Sequence, residues 1–357
     1  MRFSTAALSS ALLAAPAWAW GDNGHKITAT IAQIHLLPSA HNAICGILPQ
    51  NYSCSLAAIA SWPDEVKKLP QWKHTGQRHF VNAINDHPPQ KCVFGEEGWK
   101  APSENILQAI VDTTRELNST TGEKQDIALR FLTHYLGDVH QPMHLTGRDV
   151  GGNIIPVKYQ NENKSLHWVW DDSLIDYRIR SMTNYTTPLP TTAAPSIPAS
   201  SLILNQRIES VLNGSVYDPL VRWIVVEGVH QWWANDQEIW TRCPQLGLQR
   251  TQAQRIMQKL PFEDPIDLPV CPYHWSVPSH QLACDFIWRE DFKPAKNMSQ
   301  AVYEIELETP EYGGRVREQK MIEKQLALGG MRLAAVLNAV LGSQEEKRKF
   351  GVIPRLL

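Results

Sequence analysis

The sequence predicts a mainly α-helical chain, a single-domain helical bundle with long disulfide-pinned loops. Apolar residues recur at helical spacing in four segments, whereas the alternating pattern of strands is scarce. No internal repeat or firm domain boundary interrupts the 357 residues. We place one functional domain at 20–341 and a C-terminal tail at 342–357. The four helical segments are Lys26 to Leu36, Ile106 to Leu117, Asp126 to Asp138 and Lys320 to Leu341.

The N-terminal residues have the pattern of a secretory signal peptide. A positively charged start and an apolar run from Ala6 to Ala15 precede Ala17-Trp18-Ala19, the small-x-small pattern that a signal peptidase cuts. We therefore expect a signal peptide over residues 1–19, a mature protein that begins at Trp20 and an extracellular location. No later stretch approaches the roughly 20 apolar residues of a membrane span, so no membrane anchor is expected.

Two irregular segments are expected between the helices. Thr186 to Ser201 is rich in Pro, Thr, Ser and Ala, which predicts a flexible loop. Pro244 to Pro278 holds six prolines and Cys271, which predicts an excursion pinned by a disulfide. Four tryptophans of this middle region are expected in the core rather than in a binding platform: Trp223, Trp232, Trp233 and Trp240.

The cysteines form an even set without CxxC metal spacing, which in an exported protein favours disulfides. Six cysteines allow many pairings, so the sequence alone leaves the pattern open. Asn-x-Ser/Thr tripeptides mark surface loops that can carry glycans. The cysteines are Cys45, Cys54, Cys92, Cys243, Cys271 and Cys284, and the candidate glycosylation sites are Asn51, Asn118, Asn163, Asn184, Asn213 and Asn297.

Two histidine–aspartate pairs in the first half of the mature chain are candidate metal ligands. His134 and Asp138 stand at i and i+4, one above the other on a predicted helix, and a proline turns the chain out of that helix before His144. His167 and Asp171 repeat the spacing. One such pair alone is more often a buried histidine bonded to a nearby carboxylate, but the repetition favours a metal site.

Further candidate ligands lie upstream, at His25, Asp64 and His79. Imidazole and carboxylate without a thiolate suit zinc in a hydrolytic site, although ligand types alone leave iron and manganese open. The candidates exceed what one zinc ion needs, which favours a multinuclear site of the kind that cleaves phosphoesters. The formal net charge of -2 agrees with a metal site if the ligand is nucleic acid. A chain that is not strongly basic needs bound metal ions to supply much of the positive charge that binds nucleic acid.

An ordered series of motifs runs from Trp20 to Asp171: Trp20-Gly-x-x-Gly-His25, Trp62-x-Asp64, His79-Phe-Val-Asn82, His134-x-x-x-Asp138-x-His-Gln-Pro-x-His144, Gly151-Gly-Asn153 and Leu166-His-x-x-Trp-Asp171. In these motifs the chain resembles the zinc-dependent single-strand-specific nuclease and 3′-nucleotidase family of fungi and plants. The resemblance resumes from Ala327 to Asn338, which looks like that family's last core helix. It implies a fold similar to phospholipase C and these nucleases.

The resemblance implies three zinc ions, two of them close together and the third across the scissile phosphate. The close pair would lower the pKa of a bridging water, and in-line attack on single-stranded DNA or RNA would leave 5′-phosphate products, with 3′-nucleotides as further substrates. The implied ligands are Asp64, His79, His134 and Asp138 for one zinc, the amino and carbonyl groups of Trp20 with His25 and bridging Asp138 for the second, and His144, His167 and Asp171 for the third.

The resemblance also implies roles beside the metals. Asp64 would orient the attacking hydroxide, and Phe80 would stack an unpaired base, a contact worth about 1 to 3 kcal/mol. Asn82 and Asn153 would hydrogen-bond base or phosphate; a core phenylalanine and backbone-satisfying asparagines are the alternatives. Where relatives place an arginine this chain has Lys67, a point charge in place of a bidentate fork, so reduced activity is expected.

The resemblance implies a disulfide framework as well. Cys92 would pair with Cys284 and tie the first half of the chain to its last third. Cys45 with Cys54 and Cys243 with Cys271 would then close the remaining local loops.

The terminal amine of Trp20 is available only after secretion. In the precursor its nitrogen is an amide, whose delocalised lone pair is a poor zinc ligand. Cleavage after Ala19 creates an amine with a pKa of about 8, from which zinc displaces the proton. Amine and carbonyl would chelate one ion, and a tight turn from Gly21 to Gly24 would bring in His25 as the next ligand.

Two rival functions are considered. A bacterial zinc phospholipase C shares the ligand arrangement and would hydrolyse lipid head groups, but the Phe80 position and the lack of an amphipathic lipid-facing helix favour nucleic acid. From another class, a catalytically inactive secreted zinc-binding protein would keep the scaffold, yet every ligand position is filled. We expect a monomer.

Overall fold

The computed structural model describes residues 20–195, 197–244 and 262–354 and confirms the mainly α fold. The predicted signal peptide therefore lies outside the described residues. The helices are α1 (Asp22–Ile34), α2 (Pro38–Ile47), α3 (Trp62–Val66), α4 (Ile106–Ser119), α5 (Glu123–Asp138), α6 (Leu166–Trp168), α7 (Leu174–Ser181), α8 (Ala199–Val211), α9 (Asp218–Trp223), α10 (Gln237–Thr241), α11 (Pro272–Leu282), α12 (Arg315–Glu318), α13 (Met321–Leu341) and α14 (Gln344–Phe350).

The centre of the molecule is formed by α1, α5 and α13, which pack against one another. Helix α13 is buried from Met321 to Asn338 except at Lys324, so it is apolar around most of its circumference, as expected of a central helix. Close approach to α1 requires glycine at one point, because a Cβ on Gly330 would lie 2.5 Å from Cγ2 of Ile31. This packing holds α1 and α5 in fixed relation, and both carry candidate metal ligands.

One short hairpin interrupts the helical pattern of the described residues. Strands β1 (Pro156–Tyr159) and β2 (Glu162–Ser165) pair antiparallel, with Val157 opposite Lys164. Gln160 and Asn161 connect them with φ of 53° and 64°, values that suit a two-residue hairpin turn. Because β2 runs directly into α6, the hairpin delivers His167 to the site.

One segment differs from the sequence expectation, and the predicted tail contains a helix. Within the stretch predicted to be irregular, Pro272–Leu282 is a helix; Pro272 occupies its first turn, where a missing N–H costs nothing, and Pro278 lies inside it. Residues 245–261 of the same stretch lie outside the described part of the chain. Within the predicted C-terminal tail, 342–357, α14 forms and Glu346 accepts hydrogen bonds from the backbone N–H and hydroxyl of Ser39.

Three disulfides join Cys45 to Cys54, Cys92 to Cys284 and Cys243 to Cys271, the same pairs that the resemblance implied. All six asparagines of the Asn-x-Ser/Thr tripeptides are exposed. The tryptophans of the middle region are divided: Trp240 is buried, whereas Trp232 keeps 39% of its surface exposed. Among the described helices, none has the length and apolar character that a membrane span requires.

Candidate metal centre

Helix α5 presents the first pair of candidate ligands on one buried face. His134 Nε2 lies 3.1 Å from Asp138 Oδ2, as the i, i+4 spacing predicted. His25, in the first turn of α1, stacks on the His134 ring with centroids 3.7 Å apart, and its Nε2 lies 3.2 Å from Asp138 Oδ1. A Cβ on Gly137 would lie 2.8 Å from His25 Nδ1, so glycine is needed for α1 to bring this ring so close.

Two upstream residues complete this first cluster. Asp64 belongs to α3, and His79 ends a 3-10 helix that spans Pro70–His79. His79 Nδ1 lies 3.0 Å from Asp138 Oδ2 and 3.0 Å from His134 Nε2, while Asp64 Oδ1 lies 3.5 Å from both His79 Nδ1 and His134 Nε2. Four chain segments, α1, α3, the 3-10 helix and α5, therefore meet at one cluster, in which Asp138 contacts His25, His79 and His134.

A second cluster gathers His144, His167 and Asp171. His144 lies in the 3-10 helix Pro142–Leu145, and Asp171 lies in a π-helical turn that follows α6. His167 Nε2 is 2.8 Å from Asp171 Oδ2, His144 Nε2 is 3.8 Å from Asp171 Oδ1, and the two imidazole rings stack with centroids 5.2 Å apart. His144 Nδ1 is also 3.6 Å from Asp138 Oδ1, so the two clusters adjoin.

The tautomers of three histidines show that these clusters fit cations. Each ring places Nδ1 at a backbone carbonyl: His134 at Ala60 (2.7 Å), His144 at His79 (2.9 Å) and His167 at Gly151 (2.7 Å). Nδ1–H must therefore be the donor, and Nε2 of each ring faces a carboxylate, where it can bind a metal ion or, when the ring is protonated, donate a hydrogen bond. A proton or a metal ion must therefore lie between each Nε2 and the carboxylate that it faces.

Unpartnered buried atoms support the same conclusion. Both ring nitrogens of His25, His79 Nε2, His144 Nε2, Asp138 Oδ1 and Asp171 Oδ2 are buried without a hydrogen-bond partner, whereas most buried polar atoms have one, and their concentration at this point fits a site that binds ions. Three groups of mutually close ligand atoms emerge: His25, Asp64 and His134; His79, His134 and Asp138; and His144, His167 and Asp171. The groups can each hold a metal ion.

Electrostatics give the cluster ionised carboxylates and largely neutral imidazoles. Burial would raise the pKa of Asp138, but His134 and His25 hold it well below its usual range. Burial lowers the pKa of His79 to about 4, despite the opposing effect of Asp138. His134 is the exception, because the carboxylates of Asp138 and Asp64 overcome burial and raise its pKa to about 10. A divalent cation would take the place of the proton that these carboxylates attract.

Trp20 connects the two clusters. Its side chain is fully buried and its indole N–H donates to the Gly137 carbonyl at 2.8 Å, while the next residue, Gly21, donates its backbone N–H to the Asp171 carbonyl at 2.9 Å. The turn expected from Gly21 to Gly24 is the first turn of helix α1. Helix α1 begins at Asp22, because Gly24 N–H already bonds to Gly21 O at 2.8 Å, and His25 lies in its first turn.

The predicted substrate residues make the following local contacts. Lys67 donates to Asp64 Oδ1 at 2.6 Å. Phe80 is half-buried beside His79. The Asn82 side chain packs on Gly147, where a Cβ would lie 3.0 Å from it. Asn153 donates its amide to the Val150 carbonyl at 2.9 Å, the backbone-satisfying role that was its alternative.

Sequence reasoning missed two residues of this site. Gln141 is fully buried; its amide oxygen accepts the Met143 N–H, so its amide nitrogen faces Asp171 Oδ1 and donates to it. Val150, which precedes Gly151, has φ of 58° and is 62% exposed, and this conformation is unfavourable for a β-branched residue. The glutamine was visible in the sequence as a polar residue between two candidate ligands, whereas backbone strain has no sequence signal.

Comparisons with known proteins complete the description of the site. A family model described as S1/P1 Nuclease matches residues 20–342. Endonuclease 3 of Arabidopsis thaliana is 30% identical over 337 residues, which cover 92% of this chain and 90% of the plant protein. Nuclease P1 of Penicillium citrinum is 37% identical over 154 residues, 43% of this chain and 57% of the fungal protein. Nuclease S1 of Aspergillus oryzae is 33% identical over 163 residues, 45% of this chain and 56% of that protein.

Proposed function

Because this chain belongs to the S1/P1 nuclease family, we propose that it is a secreted, zinc-dependent endonuclease that cleaves single-stranded DNA and RNA to 5′-phosphate products and also acts as a 3′-nucleotidase. The observation that carries the proposal is the convergence of three buried His/Asp groups on one site. Imidazole and carboxylate ligands suit zinc, and adjoining metal positions suit phosphodiester cleavage.

The carboxylate of Asp138 has the geometry of a bridging ligand. One of its oxygens faces His25, and the other faces His79 and His134. Trp20 and His25 would complete one position of the close pair, and His144, His167 and Asp171 would form the third position. When bound, zinc ions would lower the pKa of a water molecule and neutralise charge on the phosphoryl oxygens.

Lys67 would hold the substrate phosphate between the metal positions. Its side chain is 12% exposed, and its hydrogen bond to Asp64 fixes the ammonium at the edge of the site. Burial is the main cause of the lowered pKa of His144, and the charge of Lys67 adds to it, so this charge acts across both clusters. Asp64 would accept a hydrogen bond from the attacking water, and it would also bind metal.

Phe80 would account for a single-strand preference. A half-buried aromatic ring directly after a metal ligand can stack a base near the scissile phosphate, and only an unpaired base is free to stack there. Asn82 lies one residue beyond that ring and would hydrogen-bond the base edge. Asn153 would act on the substrate only indirectly, through the loop that its amide supports.

A single assay separates the candidate activities. The purified mature protein is incubated with single-stranded DNA, RNA, a 3′-nucleotide and phosphatidylcholine, each with and without a chelator. We expect the first three to be hydrolysed, with 5′-phosphate ends on the polymers, and the chelator to abolish each reaction. Hydrolysis of the lipid alone would identify a phospholipase C activity, and no hydrolysis with zinc bound would identify an inactive zinc-binding protein.

Replacement of Phe80 by alanine tests the stacking role. Loss of a contact worth about 1 to 3 kcal/mol should raise KM for a single-stranded oligonucleotide by about 5-fold to 150-fold, with kcat and zinc content little changed. Phe80→Trp serves as the control, since it keeps an aromatic face and should retain most of the affinity. A core role would instead lower Tm and leave KM unchanged.

A further inference from the structure

A buried carboxylate outside the three metal groups joins distant parts of the chain. Asp86 is 8% exposed and accepts three hydrogen bonds. Its Oδ1 receives the Val93 N–H at 3.1 Å and His280 Nε2 at 3.0 Å, and its Oδ2 receives the Thr146 hydroxyl at 2.8 Å. Since a carboxylate only accepts, His280 must carry its proton on Nε2. All three partners are thereby fixed to one small group.

The two donors on Oδ1 flank the disulfide between Cys92 and Cys284. Val93 directly follows Cys92, and His280 lies four residues before Cys284, with its Nδ1 3.9 Å from that residue's sulfur. The disulfide joins positions that are 192 residues apart in sequence. Asp86 therefore holds both sides of the cross-link at the point where they meet.

The donor on Oδ2 begins the loop that supports the second metal cluster. Thr146 stands two residues after His144, and its hydroxyl also accepts the Arg148 N–H at 3.3 Å. The loop continues to Gly151, whose carbonyl accepts the Nδ1–H of His167 at 2.7 Å. One end of the loop thus carries a candidate ligand, and the other end orients a second.

Arg148 attaches the same loop to the cross-linked segment a second time. Its guanidinium donates to the Pro88 carbonyl and lies 4.4 Å from the centre of the Trp288 ring. Pro88 precedes Cys92 by four residues, and Trp288 follows Cys284 by four. The loop is therefore fixed to both chain segments that the disulfide joins.

We propose that Asp86 and Thr146 are positioning residues for the group formed by His144, His167 and Asp171, and that the Cys92–Cys284 cross-link tunes the metal affinity of that group through them. The inference rests on the proposed metal-binding function of the group. Groups that orient metal ligands typically change affinity by about 10-fold to 100-fold when removed. The expected effect is thus selective loss of one metal ion, with the close pair retained.

Thr146→Val tests the link by removing the hydroxyl and keeping the side-chain shape. The zinc-loaded protein is equilibrated against a series of buffered free-zinc concentrations, and bound zinc is counted by elemental analysis. We expect one zinc to leave at a free concentration about 10-fold to 100-fold higher than in the wild type, with kcat falling in parallel and recovering at saturating zinc. Thr146→Ser restores the hydroxyl and should restore the wild-type affinity.

The cross-link is tested with a matched pair of double variants. Cys92→Ser/Cys284→Ser should weaken the same single zinc, whereas Cys45→Ser/Cys54→Ser, which removes a local disulfide, should leave all zinc affinities unchanged. Asp86→Asn provides a further variant that keeps the disulfide but cannot accept all three donors. Its expected phenotype is that of Thr146→Val.

Three outcomes would overturn the inference. The first is that Thr146→Val binds every zinc with the wild-type affinity. The second is that Thr146→Val loses all its zinc at once and has a lowered Tm. The third is that Thr146→Ser does not restore the wild-type affinity. Failure of the proposed function is distinguishable, because it would appear in the wild type as a chain that binds no zinc at this group. The number of zinc ions bound per chain tests the inference whether or not the substrate assay detects activity.

Discussion

Asp138→Asn is expected to lower the rate of single-strand cleavage by at least about 10³-fold, the several kcal/mol that bound metal ions supply to phosphoryl transfer. The two oxygens of Asp138 face different partners, His25 at 3.2 Å on one side and His79 at 3.0 Å on the other. Asparagine offers one oxygen and one N–H donor, so it cannot bridge two cations, and it removes a negative charge from a buried site. At least one zinc of the close pair should be lost.

The measurement combines elemental analysis with the rate on single-stranded DNA. Asp112→Asn is a suitable control, since Asp112 is a half-buried aspartate of α4 that accepts from Gln108 and lies outside the three ligand groups. The wild type should hold about three zinc ions per chain. Fully active protein with one zinc or fewer would refute the three-metal proposal, and an Asp138→Asn enzyme with wild-type rate would refute the bridging role.

A single alanine added before Trp20 is expected to remove one zinc and lower turnover by about 100-fold or more, while the protein still folds. The addition converts the terminal amine into an amide, whose lone pair is delocalised into the carbonyl. The position is sensitive to an added residue, because Trp20 is fully buried, its own indole N–H donates to the Gly137 carbonyl, and the next residue, Gly21, donates its backbone N–H to the Asp171 carbonyl. Removal of the signal peptide would therefore supply the terminal amine as the last ligand of the close pair.

The comparison uses mature protein that starts at Trp20 and the version with one extra alanine, with zinc content and rate measured on both. Removal of the added residue by an aminopeptidase should restore both quantities, which separates a missing ligand from misfolding. Equal zinc content and equal rates in the two proteins would show that the terminal amine is not a ligand.

Local periodicity determined the parts of this site that lie within one helix. The i, i+4 spacing places His134 and Asp138 on the same face of α5, and the structure has both side chains 3.1 Å apart. The predicted helices at 106 to 117 and 126 to 138 reappear as Ile106–Ser119 and Glu123–Asp138. Such features depend on neighbours a few residues away, so the sequence displays them directly.

The prediction from proline content was wrong for one segment, because a proline can end a helix or occupy its first turn. Six prolines between 244 and 278 predicted an irregular segment, yet Pro272 starts α11 and Pro278 lies within it. A proline at the first turn of a helix replaces an N–H that has no intrahelical partner, so it is compatible with the helix. Packing against the rest of the protein then determines whether the helix forms, and Trp275 of this helix is almost fully buried in the core.

Only the tertiary structure decided how the separate motifs become one site. By itself the sequence determined the helical class, the ligand types and the pairs that one helix turn brings together. It carries no local signal that Asp138 faces both His25 and His79, that Gly137 leaves room for the His25 ring, or that Asp86 holds Thr146. These contacts join residues about 50 or more positions apart, and their geometry depends on how whole helices pack. Periodicity describes one element at a time, whereas a metal centre is a property of several elements in fixed relation.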